Sequence, residues 1–167
     1  IIFFTESYIN NILYYYNNND VDGAIKDIGA VIIHEAVHVW QRTDPKAFIN
    51  LYTKYWNFIK PTKIHNSDRL DKLKRYNPDG VDTNWIFKLN KKNILILNIY
   101  KDDASNIGDV DFIGVYVEKN GNKCVIPEES KYYPLSTVKE FNSFFEHLHG
   151  NHYHPNEISA EMMSIYY

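Results

Sequence analysis

The sequence predicts a single α+β domain that occupies residues 1–167. Apolar residues recur with helical spacing in the first third of the chain and again at its end, whereas short runs of Ile, Val and aromatic residues, typical of strands, occupy the middle. A chain of 167 residues with 44% hydrophobic residues can bury a core of its own, and no linker or internal repeat divides it. We therefore expect helices that pack on a small antiparallel sheet.

Two helices are expected before the sheet. The first follows Gly23, and its apolar residues recur at steps of three and four as far as Trp40. The second covers residues 47–60, where aromatic and aliphatic residues recur at similar steps. Asp44 and Pro45 supply a cap and a first-turn proline for this second helix.

The middle of the chain predicts three or four antiparallel strands between residues 84 and 126. Residues 64–82 are polar and turn-rich, and residues 77–80 read Asn-Pro-Asp-Gly, which is typical of a tight turn. Lys-Asn-Gly-Asn at 119–122 joins two apolar runs and predicts a hairpin. Cys124 follows this turn as the only cysteine, which excludes an internal disulfide and a cysteine-based zinc site, and we interpret it as a buried small side chain.

Two further helices are expected after the sheet. Residues 137–140, Thr-Val-Lys-Glu, have the form of a capping box and predict a helix that ends at Gly150. Pro155 suits the first turn of a final helix, in which Ile158 and Met162 lie on one face.

The composition argues against nucleic acid or a membrane as the main partner. A formal net charge of -3 with scattered Lys and Arg provides no electrostatic attraction for polyanions. No apolar run approaches the length of a membrane span, and the opening residues lack the features of a signal peptide. Because the chain begins with Ile, we expect a mature product or a piece of something longer, and its compartment and oligomeric state stay open.

The stretch VIIHEAVHVWQ, residues 31–41, places His34 and His38 four residues apart in the first predicted helix. Residues at this spacing lie on one helix face, so both imidazoles can bind one cation while Glu35 lies to its side. Two neutral histidines suit Zn²⁺ and leave room for a third ligand and a water, from which Glu35 can accept a proton. This is the HExxH pattern of zinc peptidases, and a chance pattern on a helix flank is the alternative.

Two glutamates near the end of the chain supply the candidate third ligand. Glu157 and Glu161 stand one helical turn apart in NEISAE, so one can bind zinc while the other accepts the free ring N–H of a ligand histidine. A solvated helix face with two glutamates is the alternative. Four nearby histidines could also replace Glu157 as the ligand, namely His147, His149, His152 and His154.

HEAVH followed by NEISAE resembles the motif pair of the gluzincin peptidases, the thermolysin-like and anthrax-lethal-factor-like group. The resemblance implies a zincin-like fold with an active-site helix, a small antiparallel sheet and C-terminal helices. It also implies a zinc-dependent metallopeptidase that hydrolyses a peptide or protein substrate. The residue roles that it implies are His34 and His38 as ligands, Glu35 as general base, Glu157 as third ligand and Glu161 as the partner of a ligand histidine.

The resemblance covers only these two motifs, and HEAVHVWQ is also similar to a helix of secreted peptidase-like proteins of plants and bacteria. The chain departs from the gluzincin pattern because 118 residues separate His38 from Glu157. The predicted strands fall in this gap, whereas zincins normally place most of their sheet before the metal helix.

A zinc peptidase also needs a donor that stabilises the oxyanion of the tetrahedral intermediate. Tyr153 is our candidate because it lies close in sequence to Glu157, although a polar loop before a helix is the alternative. We interpret Trp40 and Gln41 as a packing residue and a polar group at a helix end. Two other functions stay open: a non-catalytic zincin-like binding or structural module of a larger assembly, and a hydrolase that acts on a non-protein amide.

Overall fold

The computed structural model describes residues 4–65, 68–75, 85–90, 92–101, 103–106, 108–127, 130–145, 148 and 152–166. These residues combine α-helices with one curved sheet. The α-helices are Glu6–Asn17 (α1), Val21–Ala24 (α2), Ala30–Thr43 (α3), Pro45–Lys54 (α4), Asp68–Leu73 (α5), Lys139–Phe144 (α6) and Pro155–Ile165 (α7). The strands are Phe58–Ile59 (β1), Lys63–His65 (β2), Ile86–Lys88 (β3), Asn93–Tyr100 (β4), Val110–Asn120 (β5), Lys123–Val125 (β6) and Tyr132–Pro134 (β7).

The helix predicted after Gly23 is confirmed, and it contains a π-helical segment. Residues Ile25–Gly29 form this segment between α2 and α3, and the three run on as one continuous stretch of helix. π-Helical turns inside α-helices are frequent at functional sites. The segment leads directly into the helix that carries the HExxH pattern.

The second predicted helix is shorter than expected. It begins at Pro45 as predicted, although Asp44 makes no side-chain cap hydrogen bond, and it ends at Lys54. Asn57 adopts a left-handed φ of 57°, which turns the backbone out of the helix. Phe58 then pairs with Phe87 in the sheet, so the prediction of helix over residues 55–60 is wrong.

The sheet has the strand order β1-β3-β4-β5-β6-β2, with β7 paired to β5. Four antiparallel strands, β3 to β6, account for the strands predicted between residues 84 and 126. The predicted hairpin joins β5 to β6, and Gly121 occupies its turn with a φ of +61°. The sequence analysis missed α1, β1, β2 and β7, as well as α5 in the segment interpreted as turn-rich. The turn predicted at residues 77–80 lies outside the described residues.

The predicted capping box at residues 137–140 is wrong. The hydroxyl of Thr137 donates to the Pro134 carbonyl within a 3-10 turn, Leu135–Thr137, and Val138 occupies the N-cap of α6. The Glu140 carboxylate accepts hydrogen bonds from the backbone and the side chain of Asn90 instead of closing a box. Helix α6 ends at Phe144, and the predicted stop at Gly150 lies outside the described residues.

Both faces of the sheet are covered. Along β4, Ile94 and Ile96 point to one core cluster and Leu95 points to the other, as the two-residue period of a strand requires. The first cluster contains buried residues of α3, α4, α6 and α7, so this face of the sheet holds the helices in place. The second cluster contains Cys124, whose predicted burial is confirmed. Within the described ranges, no helix is both long and apolar enough to cross a membrane.

Candidate metal site

Helices α3 and α7 carry the three candidate ligands and pack against each other. His34 and His38 lie one turn apart on α3, while Glu157 lies in the first turn of α7. Helix α7 begins here because Pro155 occupies its first turn and the His154 side chain accepts a hydrogen bond from the backbone N–H of Asn156. An acidic residue in the first turn also interacts favourably with the helix dipole.

The ligand atoms of these residues converge. The Nε2 atoms of His34 and His38 are 3.1 Å apart, and they lie 3.5 Å and 3.6 Å from the two carboxylate oxygens of Glu157. Two ring nitrogens at such a distance need a proton or a cation between them, because their lone pairs otherwise face each other. Bonds of about 2.0 to 2.1 Å in a tetrahedral zinc site separate the ligand atoms by about 3.3 Å. Two imidazoles and one carboxylate therefore fit Zn²⁺ in both donor chemistry and spacing.

The site is buried and holds a negative charge. His38 is 1% exposed and Glu157 is 2% exposed. Burial acts to raise the pKa of the Glu157 carboxyl, but hydrogen bonds and charge from His34 and His38 outweigh burial and lower this pKa to about 2. The carboxylate is thus ionised at neutral pH. Buried charges in proteins are generally paired or coordinate a metal, which is consistent with a cation site.

Glu35 lies beside the ligands on the wall of a cleft. The cleft has a volume of about 1020 Å³, and its lining includes His34, Glu35 and Glu161. Residues of α2 and of the π-helical segment, among them Ile25 and Lys26, also line it. A space of this size is close to the upper end of the range found for small-molecule sites, about 1,000 Å³. The predicted general base therefore lines this cleft together with one predicted ligand, His34.

Glu161 lies near the other ring nitrogen of His34. Its Oε2 atom is 3.9 Å from Nδ1 of His34, which is close enough for electrostatic attraction but too long for a hydrogen bond. The direct hydrogen bond that we expected between these two groups is therefore not formed at this distance. The assignment of Glu161 as the partner of a ligand histidine stays a prediction.

Tyr153 packs in the core, one residue before the N-cap of α7. Its ring stacks on Phe112 with centroids 5.2 Å apart, and it is not among the residues that line the 1020 Å³ cleft. Its role as an oxyanion donor stays a prediction. Of the competing histidines, His154 caps α7 and His152 stacks on Phe141.

The histidine cluster as a whole gives no alternative ligand in the part of the chain that the structure describes. There, the residues that could jointly hold a metal are His34, His38 and Glu157. His147 and His149 lie outside the described residues, so the question whether either replaces Glu157 stays open.

The sequence analysis underestimated Gln41. This residue is 7% exposed, and its Oε1 atom is 2.9 Å from Nδ1 of His38. It is therefore a buried neighbour of a predicted ligand and not merely a polar group at the end of a helix. Its position three residues after His38, on the same helix face, is the signal that could have indicated this contact. Trp40, in contrast, is half exposed and lies edge-on to Phe48.

Comparison of the chain with protein-family models, with curated proteins and with solved structures found no match. The case for a metal site therefore depends on the two motifs and on the geometry of the side chains that they contribute.

Proposed function

We propose that the protein is a zinc-dependent metallopeptidase with a zincin-like fold, in which His34, His38 and Glu157 hold the metal. One observation carries the proposal: two histidines of an HExxH helix meet a buried, ionised glutamate from α7, although 118 residues lie between His38 and Glu157. A chance HExxH pattern on a helix flank gives no reason for this convergence. Zinc in such a site acts as a Lewis acid that polarises a carbonyl oxygen and lowers the pKa of water.

The protein's own residues would carry out proton transfer, metal binding and substrate binding. Glu35 lines the cleft beside His34, so its carboxylate can accept a proton from the attacking water and return it to the leaving amine. His38 and Glu157 lie below this surface and are shielded from solvent, which strengthens their electrostatic attraction for a cation. The cleft between α3, the π-helical segment and the end of α7 is where a peptide substrate would lie.

Metal content tests the site. Protein prepared without added metal should contain about one zinc per chain by elemental analysis. Glu157→Gln keeps the size of the side chain but removes its charge, and it should weaken zinc binding strongly. Glu118→Gln, an exposed glutamate on β5, is the matched control and should bind zinc like the wild type. Absence of zinc binding by the wild type, or equal affinity in Glu157→Gln, would show that the ligand set is wrong.

Catalysis is tested separately with Glu35→Gln. If Glu35 is the general base, this variant should retain zinc and lose peptide hydrolysis by about 100-fold or more, measured with an unbiased peptide library. A wild type that binds zinc but cleaves no peptide would refute the peptidase proposal. That result would favour the non-catalytic module or a hydrolase of non-protein amides.

A further inference from the structure

A buried hydrogen-bond network lies directly behind His38. Oε1 of Gln41, on α3, lies 2.9 Å from Nδ1 of His38. Nε2 of Gln41 donates to the backbone carbonyl of Asn156 at 2.9 Å and to Oγ of Ser159 at 2.8 Å. The hydroxyl of Tyr52, on α4, donates to Oδ1 of Asn156 at 3.1 Å and lies 2.8 Å from Oγ of Ser159. All four network residues are buried, and they join three helices. None of them was among the predicted site residues.

The chemistry of the groups fixes the orientation of the Gln41 amide. A backbone carbonyl can only accept a hydrogen bond, so the Asn156 carbonyl must face the NH₂ group of Gln41. The Oε1 atom of Gln41 then faces His38 and must accept from it. His38 therefore carries a proton on Nδ1, which leaves Nε2, the nitrogen that faces Glu157 and His34, as the one that would bind the metal.

The network also keeps Gln41 in place. Ser159 donates to the Asn156 carbonyl at 3.0 Å, so this carbonyl is held from two sides. Burial raises the pKa of the Tyr52 phenol well above its usual value, which keeps the hydroxyl protonated as a donor. Among the described residues, His34 has no comparable support, because the carboxylate oxygen nearest to its Nδ1 belongs to Glu161 and is 3.9 Å away.

We infer that Gln41 is a positioning residue that selects the Nδ1-protonated tautomer of His38 and thereby aims Nε2 at the metal. The inference rests on the proposed metal site for its function, but the tautomer is a property of the chain itself. Partners of this kind commonly change metal affinity by about 10- to 100-fold when they are removed. His38, not His34, is then the ligand whose geometry is set before the metal arrives.

The tautomer can be measured in chelator-treated protein. Nitrogen chemical shifts of ¹⁵N-histidine-labelled protein distinguish a protonated ring nitrogen from a bare one, and the His38 signals are identified by their loss in His38→Asn. We expect wild-type His38 to be protonated on Nδ1. Gln41→Met, which retains length but has no acceptor, should abolish this preference. A wild-type Nδ1 that carries no proton, or an unchanged tautomer in Gln41→Met, would overturn the inference.

A second readout covers the case in which Gln41→Met does not fold. Gln41 is the only glutamine in the chain, so side-chain ¹⁵N labelling of glutamine gives a single pair of amide resonances. Two hydrogen bonds to buried acceptors should make these protons exchange slowly with solvent. Fast exchange in the folded wild type would contradict a fixed Gln41.

Measurements of zinc affinity test whether the tautomer of His38 affects metal binding. Gln41→Met should bind zinc about 10- to 100-fold more weakly than the wild type. Ser159→Ala, the matched control, removes one anchor but keeps the bond between Gln41 and His38, and it should have a smaller effect. Equal affinity of Gln41→Met and the wild type would refute the positioning role. If the wild type binds no zinc and yet His38 shows the tautomer that depends on Gln41, the metal proposal fails while the assignment of Gln41 stands.

Discussion

The charge on Glu157 should make the chelator-treated protein sensitive to acid. Its pKa falls from 4.5 to about 2 in the folded state, because two histidines outweigh the effect of burial. A group with a lowered folded pKa contributes stability above its unfolded pKa and loses that contribution as the pH falls through the folded value. One pKa unit corresponds to about 1.4 kcal/mol, so lowering the pH from 5 to 3 should decrease the unfolding free energy of the wild type by about 2 kcal/mol through Glu157.

The measurement is urea unfolding followed by tryptophan fluorescence, with chelator present, at several values between pH 5 and pH 3. Glu157→Gln cannot take up this proton, so its unfolding free energy should fall less steeply with acid than that of the wild type. Glu118→Gln changes only an exposed carboxylate on β5 and should follow the wild type. Parallel curves for the wild type and Glu157→Gln would refute the reasoning that a buried, ionised Glu157 is held by the histidines.

Three further predictions concern the metal and the scaffold. Zinc at 1,000 times its Kd should raise the unfolding free energy of the wild type by about 4 kcal/mol, which differential scanning calorimetry detects as a higher melting temperature. The same zinc concentration should leave the melting temperature of His38→Asn unchanged. Ile158→Ala truncates a fully buried side chain of α7 and should lower the unfolding free energy by about 2 to 5 kcal/mol in urea titrations. An unchanged unfolding free energy would mean that α7 does not pack on the core. Gly121→Ala places a side chain at a φ of +61°, where its Cβ would meet no neighbour but the backbone conformation is strained. The substitution should lower the unfolding free energy by about 1 kcal/mol in the same assay. An unchanged midpoint would contradict the observed turn.

What could be predicted from the sequence depends on how local the determining interactions are. The HExxH helix and α7 were predictable because their spacing and their first-turn residues act within one or two turns. The Asn-Gly hairpin was predictable because its turn needs a positive φ. In contrast, β1 and β2 have only two and three residues, too few to display a period, and they are strands because β3 and β6 pair with them.

In the candidate site, too, the features set by local spacing were predictable and those set by long-range contacts were not. The i, i+4 spacing predicted His34 and His38 as candidate ligands, the NEISAE motif predicted Glu157, and these three side chains do converge. The role of Gln41 could not be predicted with the same certainty, because its burial depends on Ser159 and the Asn156 carbonyl of a helix more than 100 residues away. A helix-end polar residue looks the same in sequence whether its amide meets water or a network of this kind.

The long gap between His38 and Glu157 has a structural explanation in the sheet. Val37 of α3 and Ile158 of α7, each adjacent in sequence to a predicted ligand, belong to one core cluster together with Ile94 of the central strand β4. The residues between the two motifs thus build the surface on which both helices pack, so their number does not prevent the ligands from meeting. The ligand geometry should then depend on the folding of the whole sheet. Because zinc would bind only where the sheet holds the three candidate ligands together, unfolding of the sheet should release the metal in the same cooperative transition.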